Sequence, residues 1–436
     1  MDRKALSLPI LVSIVVGNMI GTGIYLLPAS LAQYGTMSLL AWVYTSIGAT
    51  LLAIVFTHLN KRYPKTGGPY VYCKEAFGKL PGFIVAYIYW MCNIVSIAGI
   101  AVASTGYLGF IFPELDSNMP EYNRFYALLI EVGMVWLFTL VNLIGIHTAG
   151  VVQVFLTIIK LIPLVLISIV GLFTIHIGNI THFTSGATSN FTAISSAATL
   201  TLWAFIGLEA ATVPAENTKG SSDVYKATLY GVLGTGAVYI ISTFVLMGMI
   251  EPSKLAHSQF PFADAGTMLF GPYAALFVTI CAVVSGLGAL NVCVLLQGQI
   301  VFAAARDHMF PKIFAKLSKH DVPVAAQLLS SGIVTLLLML TIQPSLLKQF
   351  DNIALLAALF ALLTYFAVTL AELKFILISH RTPKKFLLYK STPVAILATL
   401  YSLWMMSSFT MNVLLVAVGV ILLCVPIYYF TIRKYA

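Results

Sequence analysis

Two stretches place open backbone and a charge where an apolar chain tolerates neither. Gly17-Asn18-Met19-Ile20-Gly21-Thr22-Gly23 interrupts an apolar run from Leu6 to about Leu31. A run of that length can cross a bilayer, which needs about 20 apolar residues. Glycines and an Asn at its centre are poor helix formers. Unwound backbone at that depth is tolerated only where it lines a cavity or packs within protein. There it offers N–H and C=O groups to a ligand. The half-helix starting near Thr22 presents a positive dipole end, suited to a carboxylate. The second stretch is Thr201-Leu202-Trp203-Ala204-Phe205-Ile206-Gly207-Leu208-Glu209, which sets a Gly and a Glu in mid-span. Small and polar residues precede it from Ser195, and Pro214 closes it. A charge at such depth costs at least about 2.5–3.5 kcal/mol on insertion scales, so Glu209 is a candidate for gating or proton coupling.

A third polar outlier is Lys160, in the apolar run from Val151 to Pro163. It lies roughly 13 Å past Val151 at about 1.5 Å per residue, too deep to snorkel easily. No acid lies three or four residues away on its own helix. The free carbonyls of the broken first span are its natural partners.

These residues need long apolar elements to hold them, and the composition supplies them. The 436 residues are 59% hydrophobic and 9% charged, against roughly 25% charged in soluble domains. Apolar runs define twelve spans: 6–32, 37–59, 82–112, 125–146, 151–175, 193–214, 226–250, 273–304, 324–343, 352–377, 391–409 and 411–431. The fold class is an all-α polytopic membrane protein, one domain over residues 1–436. Of the 24 Lys and Arg, all but Arg124, Lys254, Lys348 and Lys160 fall on the side of the N-terminus. The positive-inside rule then makes both termini cytoplasmic, as in a multi-pass protein of the inner cell membrane. This location also accounts for the net charge of +9 without nucleic acid. Breaks in spans one and six occupy corresponding places in two halves, about 6–175 and 193–377, with 391–431 as extra helices. Paired breaks of this kind point to an inverted repeat with the site at its interface, the plan of a transporter.

Other chemistries fit poorly. The histidines at 58, 147, 176, 182, 257, 308, 320 and 380 fall in loops or at span ends, and neither His-Glu-x-x-His nor Gly-x-Ser-x-Gly occurs. An intramembrane enzyme is therefore not expected. The five cysteines are scattered without metal spacing, so no metal or cofactor is expected. No Walker motif supplies ATP chemistry. A channel would want a pore-lining ring, whereas two broken spans argue for alternating access. Glu131 in the fourth span reads as structural. The expected partners are a small-molecule amino acid or amine and the lipid bilayer; a homodimer is compatible.

The motifs resemble the amino acid–polyamine–organocation superfamily, nearest to its bacterial basic amino acid and polyamine antiporters of the arginine/agmatine kind. They match in order at Gly17 to Ile24 with Leu27-Pro28, at Pro64-Lys65-Thr66-Gly67-Gly68-Pro69-Tyr70, at Thr201 to Glu209, and at Ala303-Ala304-Ala305-Arg306-Asp307 with Phe310-Pro311. The resemblance implies a LeuT-type five-plus-five inverted repeat with broken helices 1 and 6, plus two extra helices. It implies that a substrate carboxylate meets Thr22 and the N–H groups near Gly21 and Gly23. The α-amine would meet carbonyls of Met19, Trp203 and Ile206. Trp203 would be an aromatic lid, and Glu209, Tyr89 and Tyr365 an inner gate. The pocket walls would be Asn93, Ile97, Trp203, Ile206 and Cys293.

Three departures matter. Ile97 and Cys293 stand where the arginine antiporters carry an Asn and a Trp for the guanidinium, with Asn93 one turn away. Lys160 is not the rule there. It resembles a lysine of the wider superfamily whose ammonium stands near the sodium position of sodium-coupled relatives. His308 stands where the loop motif usually has Gly. The expected function is a secondary active amino acid transporter, an exchanger or proton-coupled permease, with neutral substrates slightly favoured. The alternative is a basic amino acid or amine antiporter of the arginine/agmatine or ornithine/putrescine type.

Overall fold

The computed structural model describes residues 7–65, 67–144, 149–181, 189–213, 220–318, 322–379 and 391–432. Leu6, Thr66 and Pro214 lie outside the described residues. So do both termini with Arg3, Lys4, Arg433 and Lys434, and His147, His182, His320 and His380. The basic residues Lys219, Lys319, Arg381, Lys384, Lys385 and Lys390 lie outside them as well.

Every regular element described is helical. The first half runs α1 (Leu8–Met19), α2 (Gly23–Ala32), α3 (Met37–Arg62), α4 (Pro69–Phe77), α5 (Lys79–Leu108), α6 (Arg124–Ile144), α7 (Ala149–Gly171) and α8 (Ile177–Thr181). The second runs α9 (Asn190–Trp203), α10 (Ser221–Met249), α11 (Pro252–Leu255), α12 (Pro261–Phe270), α13 (Pro272–Arg306), α14 (Val324–Leu340) and α15 (Leu346–Ser379). Then come α16 (Thr392–Ser407), α17 (Met411–Leu422) and α18 (Cys424–Ile432). Among the described residues, 8 helices are long and apolar enough to cross a membrane, or 9 with the bent pair α1 and α2. Helices α14 and α16 are apolar but shorter.

Both expected breaks are present. Helix α1 ends because Ile20 turns extended (φ −88, ψ 96), and α2 restarts at Gly23 with its axis bent by 43°. Helix α9 is capped by Ser189, whose Oγ accepts from Thr192 N–H at 3.3 Å. It stops at Trp203, after which Ala204–Glu209 run as irregular turns into a 3-10 turn at Ala210–Thr212. Gly207 sits there at φ 97, a left-handed conformation that glycine adopts without a Cβ penalty.

Two elements were not legible as spans. Helices α4 and α12 are short, each with Pro in its first turn, where the missing N–H costs nothing. Each ends on a glycine that reverses the chain directly into a long helix: Gly78 (φ 95, ψ −173) before α5 and Gly271 (φ 84, ψ −176) before α13. Helix α5 is buried on almost every face and forms the axis of the bundle. Helices α6, α7 and α17 instead carry exposed apolar rows such as Leu129, Leu137, Phe155, Ile158 and Leu415, the surface a bilayer covers. Glu131 is fully buried and held bidentately by Arg124 at 2.9 and 3.2 Å. His308 sits at φ 59, the only non-Gly residue with positive φ among those described.

Candidate functional site

The two breaks face each other across a partly open cavity. Gly21, Gly23 and Gly207 bring bare backbone to its wall and Ala204 a single methyl, while Asn18, Asn93, Ser96 and Glu209 are its polar residues. Met19, Ile24, Ile100, Ile206, Trp203 and Cys293 complete it. Side-chain-free backbone is required at the breaks. A Cβ on Gly23 would stand 2.6 Å from Trp203 Nε1 and 3.1 Å from the Phe350 ring. A Cβ on Gly207 would collide with Asn18 Nδ2.

Glu209 is fully buried, and both its oxygens are held. Oε1 accepts from the Tyr89 hydroxyl at 2.7 Å and Oε2 from the Tyr365 hydroxyl at 2.7 Å. Tyr365 Oη also accepts the Gly207 N–H at 3.4 Å. Helices α5 and α15 thereby aim one carboxyl at the cavity from the second break. Trp203 packs edge-on against Phe350, with ring centroids 5.8 Å apart, and these two rings cover Gly23.

Lys160 is fully buried on α7. Its Nζ donates to Gly17 O at 2.9 Å and Ile20 O at 2.6 Å, carbonyls that the break in the first span leaves without helical partners. Ser285 Oγ reaches Ile20 O as well, at 3.3 Å. The Tyr25 hydroxyl donates to Lys160 O at 2.7 Å. The ammonium thus replaces hydrogen bonds that a continuous helix would have made internally, and unpaired buried carbonyls would each cost about 1–3 kcal/mol.

The remaining expected residues fall less simply. Thr22 caps α2, but its hydroxyl turns away from the cavity. Oγ1 lies 2.9 Å from Ser104 Oγ and donates to Ala282 O at 2.9 Å. Gly286 on α13 makes room for it, since a Cβ there would overlap Thr22 Oγ1 and Ser104 Oγ. Ile97 is fully buried and is not part of the cavity wall; Ser96 and Ile100, its neighbours on α5, are. Asn93 faces the cavity while its Nδ2 donates to Tyr89 O at 2.9 Å. Cys293 meets Asn18 Oδ1 at 3.6 Å. The Met19 carbonyl accepts from Tyr239 Oη at 2.9 Å and the Trp203 carbonyl from Ile206 N–H at 3.1 Å. Each keeps a second lone pair.

Sequence reasoning missed Tyr239 on α10. Its hydroxyl lies 2.9 Å from Met19 O and 3.2 Å from Ala204 O. It lies within reach of a carbonyl at each break, and its single proton serves one at a time. No local pattern marks it among 21 tyrosines. Asn18 could have been found, because it is the polar residue inside the first break.

Over residues 6–432 the chain matches the model of a family described as Amino acid permease. It is 33% identical over 350 residues to the Cadaverine/lysine antiporter of Escherichia coli strain K12, covering 78% of this chain and 75% of that protein. It is 31% identical over 391 residues to the Putrescine transporter PotE of Haemophilus influenzae, covering 89% and 88%. It is also 31% identical over 359 residues to PotE of E. coli K12, covering 80% and 78%.

Proposed function

The chain belongs to the amino acid permease family of the amino acid–polyamine–organocation superfamily, and we propose that it exchanges a basic amino acid for a diamine. That it is a membrane transporter of amino acids or polyamines follows from the family; the substrate and the exchange are our reading. The observation that carries it is Glu209, a carboxylate set in the cavity wall by two tyrosine hydroxyls. A buried cation is expensive without partners, and Glu209 with the Trp203 ring gives an ammonium both an opposite charge and an aromatic face.

The neutral preference expected from the sequence rested on an apolar wall at Ile97, with Asn93 as its one strong hydrogen-bonding side chain. The cavity is more polar than that, because Ser96, Asn18 and Glu209 line it and Ile97 does not. The missing Asn and Trp at Ile97 and Cys293 weigh against a guanidinium, which needs several planar donors satisfied. They do not weigh against an ammonium. The names of the relatives, putrescine in one case and cadaverine with lysine in another, favour the same class.

In this reading twelve spans form two inverted halves of five plus two extra helices, with the bent pair as the first span and α9 with its irregular continuation as the sixth. The matched glycine joints at Gly78 and Gly271, third in each half, support the repeat. Both termini are cytoplasmic. The substrate carboxylate meets backbone near Gly21 and Gly23, and Lys160 takes the place of a coupling cation. The test is competition against one labelled basic substrate in proteoliposomes. Excess lysine, ornithine or a diamine should inhibit strongly, and alanine, serine or leucine should not. Inhibition by the neutral set alone would restore the neutral reading.

A further inference from the structure

A second, partly open cavity lies beyond the Trp203–Phe350 lid. It is built on the same elements. Leu200 in its wall is one turn before Trp203 on α9, Asp351 directly follows Phe350 on α15, and Gln33 and Tyr34 follow α2. On the orientation proposed above, this side faces outward. Asp351 Oδ1 accepts from the Ser30 hydroxyl at 2.6 Å. No described Lys, Arg or His forms an ion pair with it.

The rest of the wall suits a cation. Its polar residues are Gln33, Ser196, Thr199, Ser408 and Thr410, and it contains no basic side chain. Gln33 spends its amide N–H on Ser30 O at 2.9 Å, which leaves its amide oxygen as an acceptor. Thr199 spends its hydroxyl proton on Ser196 O at 2.7 Å, again leaving an acceptor oxygen. An ammonium has three donors and no acceptor, so a carboxylate with acceptor oxygens in the same wall is its complement. Tyr34 and Phe409 add ring surface beside it.

We propose that the Asp351 pocket is an entry subsite, which captures the ammonium group of an amine substrate before it passes the Trp203–Phe350 lid into the central cavity. This rests on the basic-substrate reading. The subsite belongs to one face of the protein only. It therefore lowers the concentration of substrate needed on that face and does not alter the exchange step at Glu209.

The experiment is exchange of labelled 1,4-diaminobutane in proteoliposomes of uniform orientation, with the diamine varied first outside and then inside. Asp351→Asn should raise the external KM by roughly 5-fold, the upper end for a partly exposed charge pair. It should leave the internal KM and the maximal rate within about twofold. Asp351→Glu, which keeps the carboxylate, should restore most of the external affinity. Replacing choline by sodium or potassium at constant ionic strength should leave the wild-type external KM unchanged. An unchanged external KM in Asp351→Asn, or equal shifts on both faces, would overturn the subsite. So would a specific rise with sodium or potassium, which would make the pocket an inorganic cation site. A wild-type protein that exchanges no diamine or basic amino acid at all would instead overturn the functional reading beneath it.

Discussion

At the residue scale the account turns on Glu209 and Lys160, two buried charges with opposite duties. Glu209 faces the cavity and is held by the Tyr89 and Tyr365 hydroxyls, and no described cation pairs with it, so its charge remains available to a substrate. Lys160 faces away from the cavity and is spent on carbonyls. Glu209→Gln keeps the shape and removes the charge. Exchange of a basic substrate should fall at least about tenfold, equivalent to roughly 1.4 kcal/mol, and its pH profile should flatten. A steady-state pH series on the variant checks this, and an unchanged profile would remove Glu209 from the mechanism. Lys160→Ala leaves the Gly17 carbonyl without its ammonium partner and the Ile20 carbonyl with Ser285 Oγ alone. It should destabilise the protein by at least about 1–3 kcal/mol, the cost of one orphaned buried acceptor, seen as a lowered unfolding temperature in detergent together with lost exchange. The same ammonium would repel a sodium ion by roughly 4 kcal/mol at about 4 Å and an effective dielectric of about 20. Exchange is therefore expected to run unchanged when sodium is replaced by choline, and strict sodium dependence would contradict this role.

At the scale of elements, the breaks are held open by glycines at particular contacts. Gly23→Leu would drive a side chain into Trp203 and Phe350 and should abolish substrate binding while the protein stays folded. Binding by scintillation proximity, with size-exclusion behaviour as the folding control, tests it; wild-type affinity would sink the assignment. Gly207→Ala combines a collision with Asn18 and a left-handed φ of 97, and should lose exchange as well. These breaks were legible in the sequence because helix-poor residues at mid-span have few other uses. That Tyr89 and Tyr365 meet Glu209 was legible only through the resemblance, since they are two tyrosines among many and the meeting needs three separate elements. The direction of Thr22 was not legible. Its hydroxyl is settled by Ser104 and Gly286, residues 82 and 264 positions away, and only the fold brings them together. Helix α15 begins at Leu346, six residues ahead of the expected 352, because the helix continues past its apolar core through Gln349 and Asp351, where hydropathy loses its signal.

At the scale of the whole molecule, the bundle wraps around α5 and presents apolar rows outward, with the breaks facing one another inside. Near the end of α13, Lys74 meets Asp307 at 2.8 Å and ties α4 to the loop that follows it. If both termini are cytoplasmic, this tie and the basic loops lie inside the cell, while Asp351 faces out. A cysteine placed at Asn118 in a cysteine-free background should react with a membrane-impermeant maleimide in whole cells, and one at Lys65 should not. The reverse pattern would invert the assignment. We propose that this transporter exchanges basic substrates through the site between its two breaks. The most direct measurement is trans-stimulation: labelled lysine outside sodium-free proteoliposomes, with either unlabelled diamine or buffer inside. Uptake should be rapid and saturable with the diamine inside and slight with buffer, and the stimulation by diamine should fall at least about tenfold in Glu209→Gln. Equal uptake with buffer inside, or stimulation by internal leucine but by no amine, would contradict it.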